Sequence, residues 1–434
     1  MPSIAKRFES RSRRSSITAD LRAVCARPDG QVIDLPGLSP VVDGGLVRHV
    51  RPGDFIPMPP GSLLLSLPDR SPLAADGTAK LAIDTAGDRE VCAVGAALPL
   101  GYTRTLLPAY EERAGALALP LYGYTAVAWH ADGFRVAALR TDELEDWDSS
   151  LHEPHKVSQA VEERKREYGA NGLIRQLERC AVEYGCYTAQ NIFLRRGEAA
   201  IPVSPACNAR CIGCISAQDP GAGIVSAQQR IAATPSVADV SALAVAHLDG
   251  AKDGMISFGQ GCEGEPLLAA PKIAAAIQAI RTQTSRGTIH CNTNASLPRA
   301  LEVLVDAGLQ SIRVSLNSAR PDVYSAYYRP RGYNFDDVLE SVKIADRRGV
   351  AISLNLLTHP GVTDDPREIE ALARLLRAAR ISMVQTRTLN VDPRRYFAAV
   401  GRPRAQPLGI ACWAAWLQTE FPHVRLGNFT RGFG

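Results

Sequence analysis

From about Glu198 onward the chain alternates short runs of β-type residues with amphipathic stretches, and this alternation restricts the fold more than any other feature. The runs Ala199–Pro205, Met255–Gly259, Thr288–Asn292, Ser311–Leu316, Ala351–Leu357 and Met383–Arg387 read as strands. The intervening stretches Pro271–Thr284, Arg299–Ala307, Asp336–Arg348 and Arg367–Ala379 carry apolar residues at helical spacing. Strands that alternate with helices over roughly 190 residues imply an α/β fold on a parallel sheet, either doubly wound or a partial barrel. In both arrangements ligands collect at the carboxyl ends of the strands. The sequence motifs from residue 207 onward fall at those ends.

Upstream the pattern differs. Residues 18–148 are rich in Gly, Pro and short apolar runs such as Ser62-Leu63-Leu64-Leu65-Ser66-Leu67, separated by turn formers such as Arg51-Pro52-Gly53. That pattern predicts a β-rich domain. A charged helical connector is expected over 149–197, the barrel or sheet over 198–393, and an extension over 394–434. Residues 1–17 form a basic tail with Lys6, Arg7, Arg11, Arg13 and Arg14, suited either to an RNA or acidic partner or simply to solvent. No apolar run reaches the roughly 18 residues a bilayer requires, and the N-terminus lacks the apolar stretch of a secretory signal. A soluble cytoplasmic protein with no membrane partner is therefore expected. The net charge of +4 is small for 434 residues and gives no support to general nucleic-acid binding.

The ten cysteines are unevenly placed. Three lie within eight residues, in Cys207-Asn208-Ala209-Arg210-Cys211-Ile212-Gly213-Cys214, immediately after the first expected strand. Bunching of this kind points to metal ligation in place of a disulfide framework. Three thiolates on one loop can hold three irons of a cubane and leave the fourth open, whereas stable electron carriers use four cysteines. An open iron beside an electron source suits S-adenosylmethionine, whose reductive cleavage releases a radical that takes hydrogen from a substrate. The alternative is a zinc site with a fourth ligand elsewhere, although no second paired-cysteine knuckle is present.

The C-x3-C-x2-C spacing, its position after the first strand and the downstream segments resemble the radical S-adenosylmethionine (radical SAM) superfamily. The resemblance covers about Glu198 to Pro393. It implies a partial (β/α)6 TIM-like barrel, with Cys207, Cys211 and Cys214 as metal ligands of a [4Fe–4S] cluster and S-adenosylmethionine as second cofactor. An electron donor such as flavodoxin or ferredoxin follows as a partner. Gly213 departs from the family pattern, which commonly has an aromatic residue there near the adenine. Gly264-Glu265-Pro266, inside the turn Gly259-Gln260-Gly261-Cys262-Glu263-Gly264-Glu265-Pro266, looks like the family's glycine–glutamate motif, which contacts the methionyl amino group.

On alternating strand positions, Asn292 and Asn294 share one face, as do Arg313, Ser315 and Asn317. Such a polar row is costly unless partnered. It either contacts the cofactor, as the resemblance implies, or closes the barrel as a polar network. The fifth strand carries Asn355 and ends in Thr358-His359-Pro360-Gly361, where His359 caps the strand. Arg387 and Asn390, at the end of the sixth strand, are candidates to hold an anionic or amide-bearing substrate.

Cys180 and Cys186 fit either an auxiliary site or buried small hydrophobes. A redox or methyl-carrying role is conceivable for Cys262 and Cys291, while Cys412 lies in a C-terminal tail too poor in cysteine for an auxiliary cluster. The expected function is that of a radical SAM enzyme acting on an unidentified substrate, with a slight preference for a peptide, protein or RNA. A small-molecule biosynthetic enzyme is the first alternative, and a non-catalytic iron–sulfur or zinc sensor the second.

Overall fold

The computed structural model describes residues 20–143, 147, 149–430 and 432. The basic tail lies outside the described residues. Two compact units are present. One comprises residues 1–142, 357–372 and 386–422, and the other 143–356, 373–385 and 423–434.

The second unit is organised by a parallel sheet. Its strands are β1 (Glu198–Ala200), β2 (Met255–Phe258), β3 (Thr288–Thr293), β4 (Ser311–Leu316), β5 (Ala351–Thr358), β6 (Ile381–Thr388) and β7 (Arg425–Gly427), numbered from the first parallel strand. Their order in the sheet is the order in the chain. A doubly wound sheet reverses its order at a switch point. The monotonic order here selects the partial barrel. The register is continuous, with Met255 opposite Glu198 and Thr288, and Arg313 opposite Asn292 and Ser353. β2 and β3 are buried along their whole length, as expected of strands covered on both faces.

The helices after β2, β3, β4 and β5 lie within one to three residues of their expected spans: Ala270–Arg281, Pro298–Asp306, Phe335–Arg347 and Pro366–Ala378. Local chemistry explains the sharpness of these starts. Proline stands in the first turn of Ala270–Arg281 and of Pro298–Asp306, where its missing N–H costs nothing. Asn334 and Asp337 form a reciprocal capping box at Phe335.

Two expectations need correction. The first strand is Glu198–Ala200, shorter than Ala199–Pro205, because residues 203 and 204 donate their N–H groups to the side chain of Glu263 and not to a neighbouring strand. A seventh strand, β7, follows the sixth. Its three residues gave too short an apolar run to read. Within the C-terminal extension Cys412 lies on the helix Ile410–Glu420, in which Trp413 and Trp416 are buried. The connector forms three helices, α1 (Pro154–Tyr168), α2 (Ile174–Val182) and α3 (Tyr187–Leu194).

The first unit is antiparallel over residues 20–142. A five-stranded sheet runs in the order 56–57, 133–136, 125–130, 93–97, 63–67, and a six-stranded one is built on 39–43 and 70–76. Val24, Val94, Val127 and Val136 form one apolar centre, and Val42, Leu106, Ala126 and Ala137 another. Within this unit Arg70 forms a buried ion pair with Asp392 at 3.2 Å. No helix among the described residues is long and apolar enough to cross a membrane.

Candidate functional site

The loop bearing Cys207, Cys211 and Cys214 is fastened on several sides within the second unit. Arg210 N and Ile212 N donate to the carbonyls of Tyr328 and Tyr327 at 2.9 and 3.0 Å, and Arg331 N donates to Asn208 O at 2.9 Å. The Asn208 amide donates to Ser296 Oγ and accepts from Asn294 Nδ2 at 2.9 Å. Gln218 Nε2 donates to Cys214 O at 2.6 Å. The loop therefore owes its shape to the end of β3 and to the turn after helix Pro321–Tyr328, not to its own sequence.

The three thiols share one electrostatic environment. Burial pushes the Cys211 thiol well up, and the neighbouring Cys214 and Cys207 sulfurs raise it further. Burial also raises Cys207. Arg230 opposes this, with its guanidinium 3.5 Å from Cys214 Sγ and lowering both Cys207 and Cys211. Two buried thiols held against ionisation, Cys207 and Cys211, with Cys214 beside them, are a donor set that a cationic iron cluster would satisfy, since metal binding releases thiol protons. Among the described residues no three His, Cys, Asp or Glu side chains converge as ligands of a single ion.

The turn after β2 is built around a carboxylate that motif reading passed over. Glu263, 4% exposed, accepts four backbone N–H groups. Oε2 takes Val203 and Ser204 at 2.7 and 2.8 Å, and Oε1 takes Gly259 and Gln260 at 2.5 and 2.7 Å. It replaces strand pairing as the link between the chain ahead of Cys207 and the end of β2. Burial still pushes its carboxyl up to about 7. Gly264 N donates to Ser204 O at 2.6 Å and Glu265 N to Ala206 O at 2.8 Å. A Cβ on Gly264 would stand 1.9 Å from Ala206 O, so only glycine lets the two segments approach. Gly259 is held by the same logic, with φ +81° and Asn292 O 1.8 Å from an added Cβ.

Glu265 faces the end of β3. Its carboxylate accepts from Thr293 Oγ1, from Asn294 N at 2.8 Å and from Leu267 N at 3.2 Å. Burial pushes it up to about 7 as well. A carboxylate offers about four lone-pair directions, so roughly one remains for a ligand.

The expected polar row divides in two. Asn292 donates to Ser257 Oγ at 2.9 Å and to Phe258 O at 3.2 Å, and shares Oδ1 with His290. Arg313 donates to Gln385 and Thr430 and pairs with Glu198 at 3.5 Å. These two belong to a network of protein partners inside the sheet. Ser315 stands opposite Asn355 on the neighbouring strand, and Asn355 Oδ1 is buried without a protein partner. That orphan acceptor leaves polar capacity open to a ligand, whereas the amide of Asn294, just after β3, is engaged by Asn208 and Ser296. Asn317 is buried and donates to Val323 O at 3.3 Å.

His359, Arg387 and Asn390 belong to the other compact unit. His359 is buried there, with Nδ1 on Pro360 O at 2.8 Å, and its pKa is well below the usual range because of burial. Residues missed by motif reading are Glu263, Arg230, Asn208, and Tyr327 and Tyr328, whose carbonyls hold the cysteine loop. Glu263 was visible as the second carboxylate of the glycine-rich turn. Tyr327-Tyr328 was visible as an aromatic run after the fourth strand. Arg230 carries no local signal.

With this geometry established, residues 201–376 match the family model described as the Radical SAM superfamily. This stretch is a radical SAM domain. The superfamily uses a [4Fe–4S] cluster and S-adenosylmethionine, which the donor set and the orphan acceptor above fit. A GTP 3′,8-cyclase from Streptomyces coelicolor is 33% identical over 104 residues, 24% of this chain and 30% of that protein. The chain therefore spans about a third of the length of that curated relative. Among solved structures, methylornithine synthase aligns at 14% identity over 62% of this chain and 77% of its own, with a TM-score of 0.37. Streptococcus suis SuiB bound to S-adenosylmethionine aligns at 15% identity over 72% of each chain, with a TM-score of 0.38.

Proposed function

We propose that the chain is a radical SAM enzyme of unassigned substrate. Bound to this domain, a [4Fe–4S] cluster and S-adenosylmethionine supply one-electron reductive cleavage of a sulfonium and hydrogen abstraction from substrate. Cys207, Cys211 and Cys214 are the cluster ligands in this reading. Arg230 offsets the negative charge that accumulates when the three thiols ionise. Gly264 and Glu265 hold the cofactor's amino group, and Asn294, Ser315, Asn317 and Asn355 receive its polar atoms. Asn292 and Arg313 act behind them, keeping the strand ends in place. The observation that carries the proposal is the mutual fastening of the cysteine loop to the Glu263–Glu265 turn and the end of β3. A loop that only held metal would not require a buried glycine–glutamate turn packed against its first cysteine.

A flavodoxin or ferredoxin is the proposed electron donor, and the cytoplasm the proposed location. For the substrate, the appended antiparallel unit favours a peptide, protein or RNA. A small-molecule substrate is supported by one observation, the similarity to a protein named for cyclising GTP. The decisive experiment uses anaerobically purified, iron- and sulfide-reconstituted protein with S-adenosylmethionine and dithionite, and detects 5′-deoxyadenosine by mass spectrometry. Release that is lost in Cys211→Ala is expected. A fully loaded cluster without release, with or without cell extract as a substrate source, would overturn the enzymatic reading. RNA or peptide retained through purification separates the two substrate classes.

A further inference from the structure

We propose that the antiparallel unit carries a groove for the C-terminal end of a peptide, with the terminal carboxylate held by Arg402 and the last apolar side chains seated over Phe397. The groove lies between the helix Pro393–Val400 and the segments 43–47 and 107–112, all within that unit, and has a volume of about 410 Å³. Ligand sites span about 300 to 1,000 Å³. Buried Leu107 and Phe397 give it an apolar floor, and Val47, 36% exposed, stands at its rim. An arginine lies at either end of the helix, Arg394 in its first turn and Arg402 two residues past its last. Eight helical residues span about 12 Å. An extended chain covers about 3.3 to 3.6 Å per residue, so the groove accommodates about three residues of peptide.

The two arginines are held differently. Arg394 is engaged by protein at both terminal nitrogens, with Nη1 donating to Glu112 at 2.7 Å and Nη2 to Ala116 O at 3.3 Å. Glu112 in turn faces Arg70 at 3.6 Å. Arg402 uses Nη1 alone, which donates to Asp43 Oδ2 at 3.1 Å and to Gly45 O at 2.9 Å. Its guanidinium lies over the Phe397 ring, 4.4 Å from the centroid. Asp43 is itself fixed, since its Oδ1 accepts Gly45 N at 2.7 Å. The opposite edge of the Arg402 guanidinium, Nε and Nη2, donates to no acceptor among the described residues, and the side chain is 48% exposed. Two parallel N–H groups on one edge are the fork that takes a carboxylate bidentately. A fork already fixed by stacking and by its third nitrogen loses little freedom on binding.

Charge decides which ligand fits. Asp43 and Glu112 balance Arg394 and Arg402 among the groove residues, so the groove does not attract a polyanion. RNA binding draws on several unpaired cations that neutralise phosphates. Here a single open fork stands beside the carboxylate of Asp43, which repels a phosphate dianion more than a carboxylate monoanion. One monoanion followed by an apolar stretch is the chemistry of a peptide C-terminus with apolar last residues, captured as in other carboxylate-binding grooves. The inference rests on the peptide reading of the substrate given above, and it specifies which part of the peptide the antiparallel unit recognises. It does not depend on the cluster.

The test follows fluorescence anisotropy of a pool of labelled hexapeptides on titration with the full-length chain. The last three positions of the peptides are leucine, valine or phenylalanine, and the pool is prepared both as free acids and as C-terminal amides. Free acids should bind, and amides about tenfold more weakly, because the charge-assisted pair is lost. Arg402→Lys keeps the charge but not the fork and should weaken the free acids by a similar factor. Ala398→Trp, at an exposed position lining the groove, should fill it and abolish binding while thermal melting stays with the parent's. Equal binding of acids and amides, undiminished binding to either variant, no binding at millimolar chain, or displacement of the peptides by single-stranded RNA would overturn the proposal. A chain that binds the free acids but releases no 5′-deoxyadenosine keeps this site and loses only the enzymatic reading.

Discussion

Gly264→Ala tests the site by the addition of one methyl group. The new Cβ would lie 1.9 Å from Ala206 O, 2.4 Å from Ala206 C and 3.1 Å from Cys207 N. All three are backbone atoms, so no side chain can swing away, and the two segments must part by on the order of 1 Å to reach ordinary contact. That movement stretches Gly264 N–H to Ser204 O and Glu265 N–H to Ala206 O. Two buried backbone bonds are worth about 1 kcal/mol each, and overpacking adds about 1 to 3 kcal/mol. A loss of about 3 to 5 kcal/mol follows. It is concentrated next to the first cysteine, so iron retention should fall more than global stability. The assay compares thermal melting of cluster-free protein with iron bound per chain after anaerobic reconstitution. A Gly264→Ala protein that melts with the parent and binds the same iron would refute the close approach on which the site is built.

Other consequences are equally measurable. Glu263 and Glu265 have folded-state pKa values raised from 4.5 to about 7, so the native protein holds protons that the unfolded chain has released. Stability of the cluster-free protein should therefore fall as pH rises from about 4.5 to 7, by on the order of 3 kcal/mol per carboxyl. Glu263→Gln should flatten that slope in a pH series of thermal melts. Asn355→Ala removes an acceptor with no protein partner and should weaken S-adenosylmethionine binding by calorimetry while leaving the melt unchanged. Arg230→Met should shift the alkylation of Cys207 and Cys211 in cluster-free protein to higher pH, because it removes the cation that lowers both thiols. Asp392→Ala removes the nearer of two carboxylates beside buried Arg70, leaving Glu112 at 3.6 Å, and should cost about 1 to 3 kcal/mol in chemical denaturation.

The parallel sheet was legible because its strands are buried on both faces and its helices are amphipathic and start at proline or asparagine caps. Those signals are local, and Pro298–Asp306 and Phe335–Arg347 were read to within a residue. β7 was not legible, since three residues cannot display a period. Nor could the sequence say where the first strand stops. Val203 and Ser204 are apolar and extended enough to read as strand, but their N–H groups are taken by a side chain sixty positions downstream. Glu263 could be seen, but its role could not, because a carboxylate that serves four backbone donors looks in sequence like any turn glutamate.

The same reasoning sorts the polar row at the strand ends. Alternation puts Asn292 and Asn294 on one face of their strand and Arg313, Ser315 and Asn317 on one face of theirs, and the register sets Arg313 beside Asn292, but periodicity gives only a face, not a partner. The partners are set by side chains from distant strands. Gln385, Thr430 and Glu198 occupy Arg313, and Ser257, Phe258 and His290 occupy Asn292. Deep polar groups in a barrel are expensive unless satisfied, so those nearest the sheet interior are spoken for by protein. The orphan acceptor is on Asn355, beside Ser315 and farther along the strands. Arg313 Nε in the inner network is unpartnered too, so an orphan atom alone does not mark the ligand side, and it is the position of Asn355 near the carboxyl end of its strand that makes it the candidate contact.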